Sequence, residues 1–197
     1  MNQDDSGPQD ALDMARLAGG HEAALNDLMD RHGLKLFHYL IRQLQDEAEA
    51  GDLAQETFVR VFLHRRKFKP GASFSTWLYT IATNLARDRI RSRARRPQVS
   101  LEAESEITGA TLGDTLPEQG SSPSEALLAE ERAEAVRSAL ALLPEELRTP
   151  LVLAEYEDLP QSEIATILDC SIKAVETRIY RARRQLRSIL KMTLEEL

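Results

Sequence analysis

Ser162 to Arg187 reads SEIATILDCSIKAVETRIYRARRQLR, and this stretch decides the fold of the C-terminal half. Apolar residues fall at Ile164, Ile167 and Leu168, then at Ile172, Val175, Ile179, Ala182, Leu186 and Ile189, the second run stepping by three and four. Both runs describe amphipathic helices. Only Asp169, Cys170 and Ser171 separate them, and so short a connection forces the sharp crossing of a helix-turn-helix. Ser162 or Ser171 can cap the helix that follows by accepting its free N–H groups. Away from the apolar stripe the second helix carries Lys173, Thr177, Arg178, Arg181 and Arg184. Arg grips guanine O6 and N7 bidentately, Thr and Ser reach phosphates or base edges, and Lys adds point charge. Residues at the start of such a helix read bases and later arginines hold phosphate. A solvated basic helix in an ordinary hairpin would show the same pattern. Cys170 reads as a small buried residue at the turn.

Outward from this motif, charge divides the chain. Lys173 to Lys191 holds seven Lys or Arg against Glu176, and Asn84 to Pro97 holds six Arg against Asp88. Between them, Gln98 to Glu134 sets nine acids against Arg132. The net charge of −7 over 197 residues therefore hides a basic, acidic, basic order, and the local field is what steers a polyanion. Pro97 to Pro123 lacks periodicity and collects Gly, Pro, Ser, Thr and Glu, the composition of a solvated connector. On either side the apolar spacing is helical and no strand-like alternation persists. The expected fold is all-α, with two small helical domains, 1–96 and 124–197, joined by a flexible acidic linker, 97–123. Helices are expected near 10–18, 21–44, 49–67 and 74–95, then near 124–142, 145–156, 161–168 and 172–191.

With 42% hydrophobic and 29% charged residues, and no apolar run near the ~18 residues that a bilayer span needs, membrane insertion is not expected. The opening MNQDDSGPQD lacks the basic-then-apolar pattern of a secretory signal, so the expected location is cytoplasmic. One cysteine and four histidines without ligand spacing argue against a disulfide or a metal centre. No nucleophile, phosphate-binding glycine loop or cofactor site is recognisable. The chain reads as a binding protein and not as an enzyme.

A second motif opens at Phe74: FSTWLYTIATNLARDRIRSRARR, with Ser73 or Ser75 as its cap. At about 100° per residue, Trp77, Thr80, Asn84, Arg87, Arg91 and Arg95 share one face, beside an apolar stripe of Leu78, Ile81 and Leu85. An aromatic beside an arginine ladder can replace stacking lost when bases leave a duplex, while the arginines hold the backbone. Core packing is the simpler reading of Trp77 on pattern alone. Just before it, Lys69, Pro70, Gly71, Ala72 and Ser73 form a compact turn in which Gly71 permits close approach. Upstream, Asp52, Gln55, Glu56 and Arg60 share a helix face, as on any solvated helix.

Taken in order, these motifs resemble the sigma-70 family of bacterial RNA polymerase initiation subunits, specifically its small extracytoplasmic-function (ECF) group. DLAQETFVRVF resembles the polymerase-binding helix, FSTWLYTIATNLARDRIR the minus-ten recognition and melting helices, and LPEELRTPLVLAEYEDLPQSEIATILDCSIKAVETRIYRARRQLR the minus-thirty-five reader. The resemblance implies that Asp52, Leu53, Gln55, Glu56 and Phe58 dock on the clamp helices of the largest subunit of core RNA polymerase. It implies that Lys69, Pro70, Gly71, Ala72 and Ser73 receive a flipped base, with Trp77, Asn84, Arg87 and Arg91 near the melted strand. It places Ser171, Lys173, Ala174, Thr177, Arg178 and Arg181 against the minus-thirty-five element. Glu176 departs from the basic residue frequent there, and an acid can accept from cytosine N4. The implied function is to bind core polymerase, direct it to two-part promoter DNA and assist strand opening, with an anti-sigma factor as a further partner. A stand-alone helix-turn-helix regulator is the alternative.

Overall fold

The computed structural model describes residues 7–95 and 123–195, with side chains over 7–95 and 132–192. Every regular element in these residues is helical. The first half contains α1 (Gly7–Ala18), α2 (Ala24–Leu44), α3 (Glu47–His64), a 3-10 turn (Arg65–Lys67) and α4 (Phe74–Arg95). The second contains α5 (Pro123–Ala141), α6 (Glu145–Glu155), α7 (Gln161–Ile167) and α8 (Ile172–Glu195). The all-α expectation holds, and α4 runs over the predicted span. The predicted connector, 97–123, lies outside the described residues apart from Pro123, which opens α5.

Local chemistry explains where the elements start and stop. Gln45 ends α2 in the left-handed region, φ 54°, with its N–H bonded to the Ile41 carbonyl. Asp46 then caps α3, its Oδ1 accepting from the Glu49 N–H at 2.8 Å, so α3 begins earlier than the predicted residue 49. Leu28, Leu36, Tyr39 and Leu40 of α2 join Leu53, Phe58 and Val61 of α3 and Leu78, Ala82 and Leu85 of α4 in a hydrophobic core that continues into the second half. Each fully buried Leu there contributes about 1.5–3 kcal/mol. The Tyr39 hydroxyl pairs with Thr83 Oγ1 at 2.7 Å, which spares the core an unpaired polar group.

α1 is attached by buried acids. Arg31 of α2 donates to both Asp10 and Asp13, and His32 Nε2 lies 2.9 Å from the Asp10 carboxylate. Burial alone would raise the Asp13 pKa, but hydrogen bonds from Arg31, Gln9 and Arg16 outweigh it and hold the carboxyl below its usual range.

In the second half, α8 packs on α6, α7 and α5. The predicted turn is present: Asp169 takes φ 49°, and the Cys170 N–H reaches back to the Ala165 carbonyl at 3.0 Å. Of the two candidate caps it is Ser171 that acts, accepting the Ala174 N–H at 3.2 Å. Ser162 lies inside α7, which starts after Pro160 without a side-chain cap. The two halves meet, α4 against α7 and α2 against α5 and α6.

Candidate nucleic-acid interface

Lys69, Pro70, Gly71, Ala72 and Ser73 are all exposed. The Ala72 N–H bonds to the Lys69 carbonyl at 3.1 Å, and Gly71 takes φ 81° after Pro70, the arrangement of a type II turn. A side chain at Gly71 would meet no atom but would strain this backbone. Ser73 Oγ accepts the Thr76 N–H at 3.2 Å, so of the two proposed caps Ser73 starts α4.

The turn stands on aromatic rings. Trp77, half-buried, packs on Phe68 and Phe74 with centroids 5.3 and 6.4 Å apart, and His32 lies 5.1 Å from Phe74. The packing reading of Trp77 holds, because its ring supports the turn, while one part of it stays accessible.

Farther along α4 the arginines separate into two sets. Arg89 and Arg93 turn to the start of α3, where Arg93 pairs with Asp46 and Glu49 and donates to the Leu44 carbonyl. These two hold the bundle. Asn84, Arg91 and Arg95 are exposed on the face that Trp77 begins. Arg87 is half-buried and its Nε donates to Glu145 of α6 at 2.8 Å.

On α3, the five predicted polymerase-facing residues do not lie together. Asp52 and Gln55 are exposed, and Glu56 is half-buried with its carboxylate 2.8 Å from Arg60 Nε. Leu53 and Phe58 are 3% and 4% exposed, so the expectation that they face a partner is corrected: they fasten α3 to its core. What continues the outward stripe is Val59 and Leu63, 49% and 63% exposed. With Asp52, Gln55 and Glu56 they fall within about 60° of one line on the helix. Their spacing of seven and eleven from Asp52 was the available signal, hidden because apolar residues are read as core.

On α8, Ser171, Lys173, Thr177 and Arg181 are exposed, and Ala174 is half-buried. Arg178 is also half-buried, its Nη1 3.6 Å from Cys170 Sγ, and thus sits beside the turn. The centre of the outward face holds Lys173, Glu176, Thr177, Tyr180 and Arg184, which fall within about 60° of one line. Tyr180, 67% exposed, was missed because an aromatic is expected inside.

A helical bundle that presents an exposed turn at the head of an arginine ladder, joined to a helix-turn-helix with an exposed basic face, has the features of a DNA-binding protein. Comparisons with known proteins are specific. Residues 28–96 match the model of Sigma-70 region 2 and residues 133–186 that of Sigma-70 region 4. The chain is 34% identical to the RNA polymerase sigma-H factor of Pseudomonas aeruginosa, over 95% of this chain and 97% of that protein. It is 36% identical to the ECF RNA polymerase sigma factor SigW of Bacillus subtilis, over 87% and 91%. Among solved structures it is similar to CnrH in complex with the cytosolic domain of CnrY, with TM-score 0.68, 28% identity and coverage of 93% and 97%. The fold is shared with RpoE of Bartonella quintana, solved with the anti-sigma factor NepR, at TM-score 0.65 and 23% identity over 84% and 96%. The chain belongs to the sigma-70 family as an ECF-type sigma factor, which directs RNA polymerase to promoters and is not an enzyme. Among the described residues no helix is long and apolar enough to cross a membrane.

Proposed function

We propose that this sigma factor divides promoter recognition among three surfaces, on modules spanning 1–96 and 124–197 that the 97–123 segment joins. The stripe of Asp52, Gln55, Glu56, Val59 and Leu63 docks on the clamp helices of core polymerase. Its exposed Val59 and Leu63 supply apolar contact area, and the acids set orientation. The Lys69–Ser73 turn takes a base extruded from the minus-ten strand. Asn84, Arg87 and Arg91 then guide the strand's phosphates. On α8, Lys173, Glu176, Thr177, Tyr180 and Arg181 face the minus-thirty-five duplex, with Ser171 and Ala174 at the helix start and Arg178 at its margin. Strand opening is assisted because stacking and phosphate contacts offset the few kcal/mol that unstacking costs. The factor acts in the cytoplasm with an anti-sigma protein as a further partner; CnrH, to which the chain is similar, was solved in complex with the cytosolic domain of CnrY.

The observation that carries this reading is the exposed Gly71 turn, held on the Phe68–Phe74–Trp77 cluster at the head of the arginine face. Run-off transcription with core polymerase tests it. The wild-type chain should direct initiation from mapped start sites, and Val59→Asp with Leu63→Asp should abolish this while leaving the far-UV spectrum unchanged. Full activity of that double variant would remove α3 as the docking surface.

A further inference from the structure

The Lys69–Ser73 turn has two stems, and a pair of rings ties them together. Phe68 precedes Lys69 and Phe74 follows Ser73, and their ring centres lie 6.3 Å apart in an edge contact that closes the base of the turn. Phe74, 2% exposed, also meets the imidazole of His32 in α2, centre to centre 5.1 Å and tilted by 55°. His32 is 4% exposed, and its Nε2 lies 2.9 Å from each carboxylate oxygen of Asp10. With the carboxylate accepting, Nε2 carries the proton and shares it between the two oxygens, which fixes the plane of the ring. Asp10 comes from α1, is 2% exposed, and takes a further hydrogen bond from Arg31.

From this chain of contacts we propose that Asp10 is a positioning residue for strand capture: through His32 and Phe74 it sets the stem of the Lys69–Ser73 turn, and α1 is the buttress of that turn. This rests on the capture role proposed for the turn. A pocket for an extruded base works only while it keeps its shape, and a displacement of about 1 Å is enough to lose much of the gain.

Three observations favour positioning over plain attachment of α1. As a fastener the buried carboxylate is costly, because it forfeits hydration that apolar side chains of similar size would not. What it adds is direction, since an apolar contact sets no preferred plane for the imidazole. Second, α1 has a separate fastener: Asp13 pairs with Arg31 and Arg16, whereas His32 is met by Asp10. Third, α1 packs on the 3-10 turn Arg65–Lys67, which leads into Phe68, and on α4, which opens at Phe74. It therefore reaches both stems. α1 lies upstream of residues 28–96, the span that matches the region 2 model, so the support of the turn extends beyond that span.

Trp77 is the single tryptophan and packs on Phe68 and Phe74, so its fluorescence reports on the stems without polymerase. In the full chain, Asp10→Ala should increase quenching of Trp77 by acrylamide and, with core polymerase, lower initiation on a duplex promoter about tenfold. His32→Leu breaks the same link from the other side while Asp10 keeps Arg31, and should give the same two effects. Asp13→Ala removes the other buried acid of α1, and should leave quenching unchanged and initiation within about twofold.

Abasic nucleotides placed one at a time along the non-template minus-ten strand locate the captured base as the position whose removal costs the wild type most. On that template Asp10→Ala and the wild type should differ by less than about twofold, because the contact that Asp10 supports is already gone. Unchanged quenching in both Asp10→Ala and His32→Leu would overturn the proposal. So would an equal loss of initiation with and without the base, or an equal loss in Asp13→Ala. If no abasic position costs the wild type anything, the capture role of the turn falls instead, and Asp10 keeps only the support of the turn that Trp77 reports.

Discussion

The two surfaces proposed to meet DNA are built in opposite ways. On α4 the donors are rigid and partly covered: Ser73 caps its helix, Trp77 is wedged between Phe68 and Phe74, and Arg87 is clasped by Glu145. On α8, Lys173, Glu176, Thr177, Tyr180, Arg181 and Arg184 stand in solvent. The difference fits the substrate proposed for each. A duplex arrives with its groove already shaped, so long side chains can settle into it one by one. An extruded base has no shape of its own until something holds it, and a preformed support lowers the ordering cost of binding. Rigidity thus belongs on the strand side and adaptability on the duplex side.

The largest expected effects probe whether this division extends to stability. Leu78 and Ile164 are each fully buried, one in each half, within a hydrophobic cluster that runs through both. Truncating either to Ala should cost about 2–5 kcal/mol, through lost burial and the cavity left behind. Polar pairs cross the seam between the halves, Arg87–Glu145, Thr76–Glu163 and Tyr79–Glu157; if they leave it the weak link, urea unfolding should resolve two transitions. Leu78→Ala should move the one that Trp77 fluorescence reports, and Ile164→Ala the other. A single transition shifted by both lesions would show that the seam couples the halves into one unit.

Next in size is Trp77→Ala. If the ring supports the turn that captures an unpaired base, the loss should be about 1–3 kcal/mol, roughly fivefold to 150-fold in initiation on duplex promoters. A template with a pre-opened bubble should recover most of it. Equal loss on both templates would place the role of Trp77 in folding or docking and would erase the contrast with α8.

How much of this was legible in the sequence depends on the range of the interaction. The span of α4 and the turn before α8 follow from local periodicity and capping, and Ser73 and Ser171 were among the candidates for that reason. Leu53 and Phe58 were assigned to the docking face through a resemblance, whereas the angular position of Phe58, about 120° from Asp52, shows which way it points only once the neighbours of α3 are known. Asp10 and Asp13 look like ordinary solvent-facing acids of a short helix; their burial depends on Arg31 and His32, about twenty residues away. Glu145 and Glu163, which meet Arg87, Ser73 and Thr76 of the other half, likewise read as acids near helix starts, and Glu157, which meets Tyr79, as a loop acid. No local pattern says that they cross to another domain.

A smaller effect sharpens the picture of α8. Tyr180 lies at the centre of its outward face and Arg178 at the side, against Cys170. Tyr180→Ala should therefore relax discrimination at one base pair by about 1–2 kcal/mol. Arg178→Ala should weaken all sequences alike and reduce the salt slope by about one. Competition binding of polymerase holoenzyme to single-base promoter variants at several salt concentrations separates the two, and the reverse assignment would move the reading edge of the helix to its Arg178 side.

The smallest effect concerns acid. The Asp13 carboxyl has its pKa depressed in the folded chain, because hydrogen bonds from Arg31, Gln9 and Arg16 outweigh burial. A depressed carboxyl stabilises the fold above its unfolded pKa, about 3.9, and that contribution is lost as pH falls through the lower folded value. Asp13→Asn should remove it, at a cost near neutrality of about 1 kcal/mol, since hydrogen bonds to a charged group are partly replaced by water once the partners are free to move. That replacement is open here: the Arg16 and Arg31 side chains are 49% and 26% exposed, so neither is left stranded in the core. Urea titrations from pH 7 to pH 3 should show the first-half transition of the wild type falling more steeply than that of Asp13→Asn, with the two curves converging at the acid end. Parallel curves would mean that the buried acids of α1 fix its position without contributing pH-dependent stability, and that the strand-binding half gains its rigidity from the aromatic cluster instead.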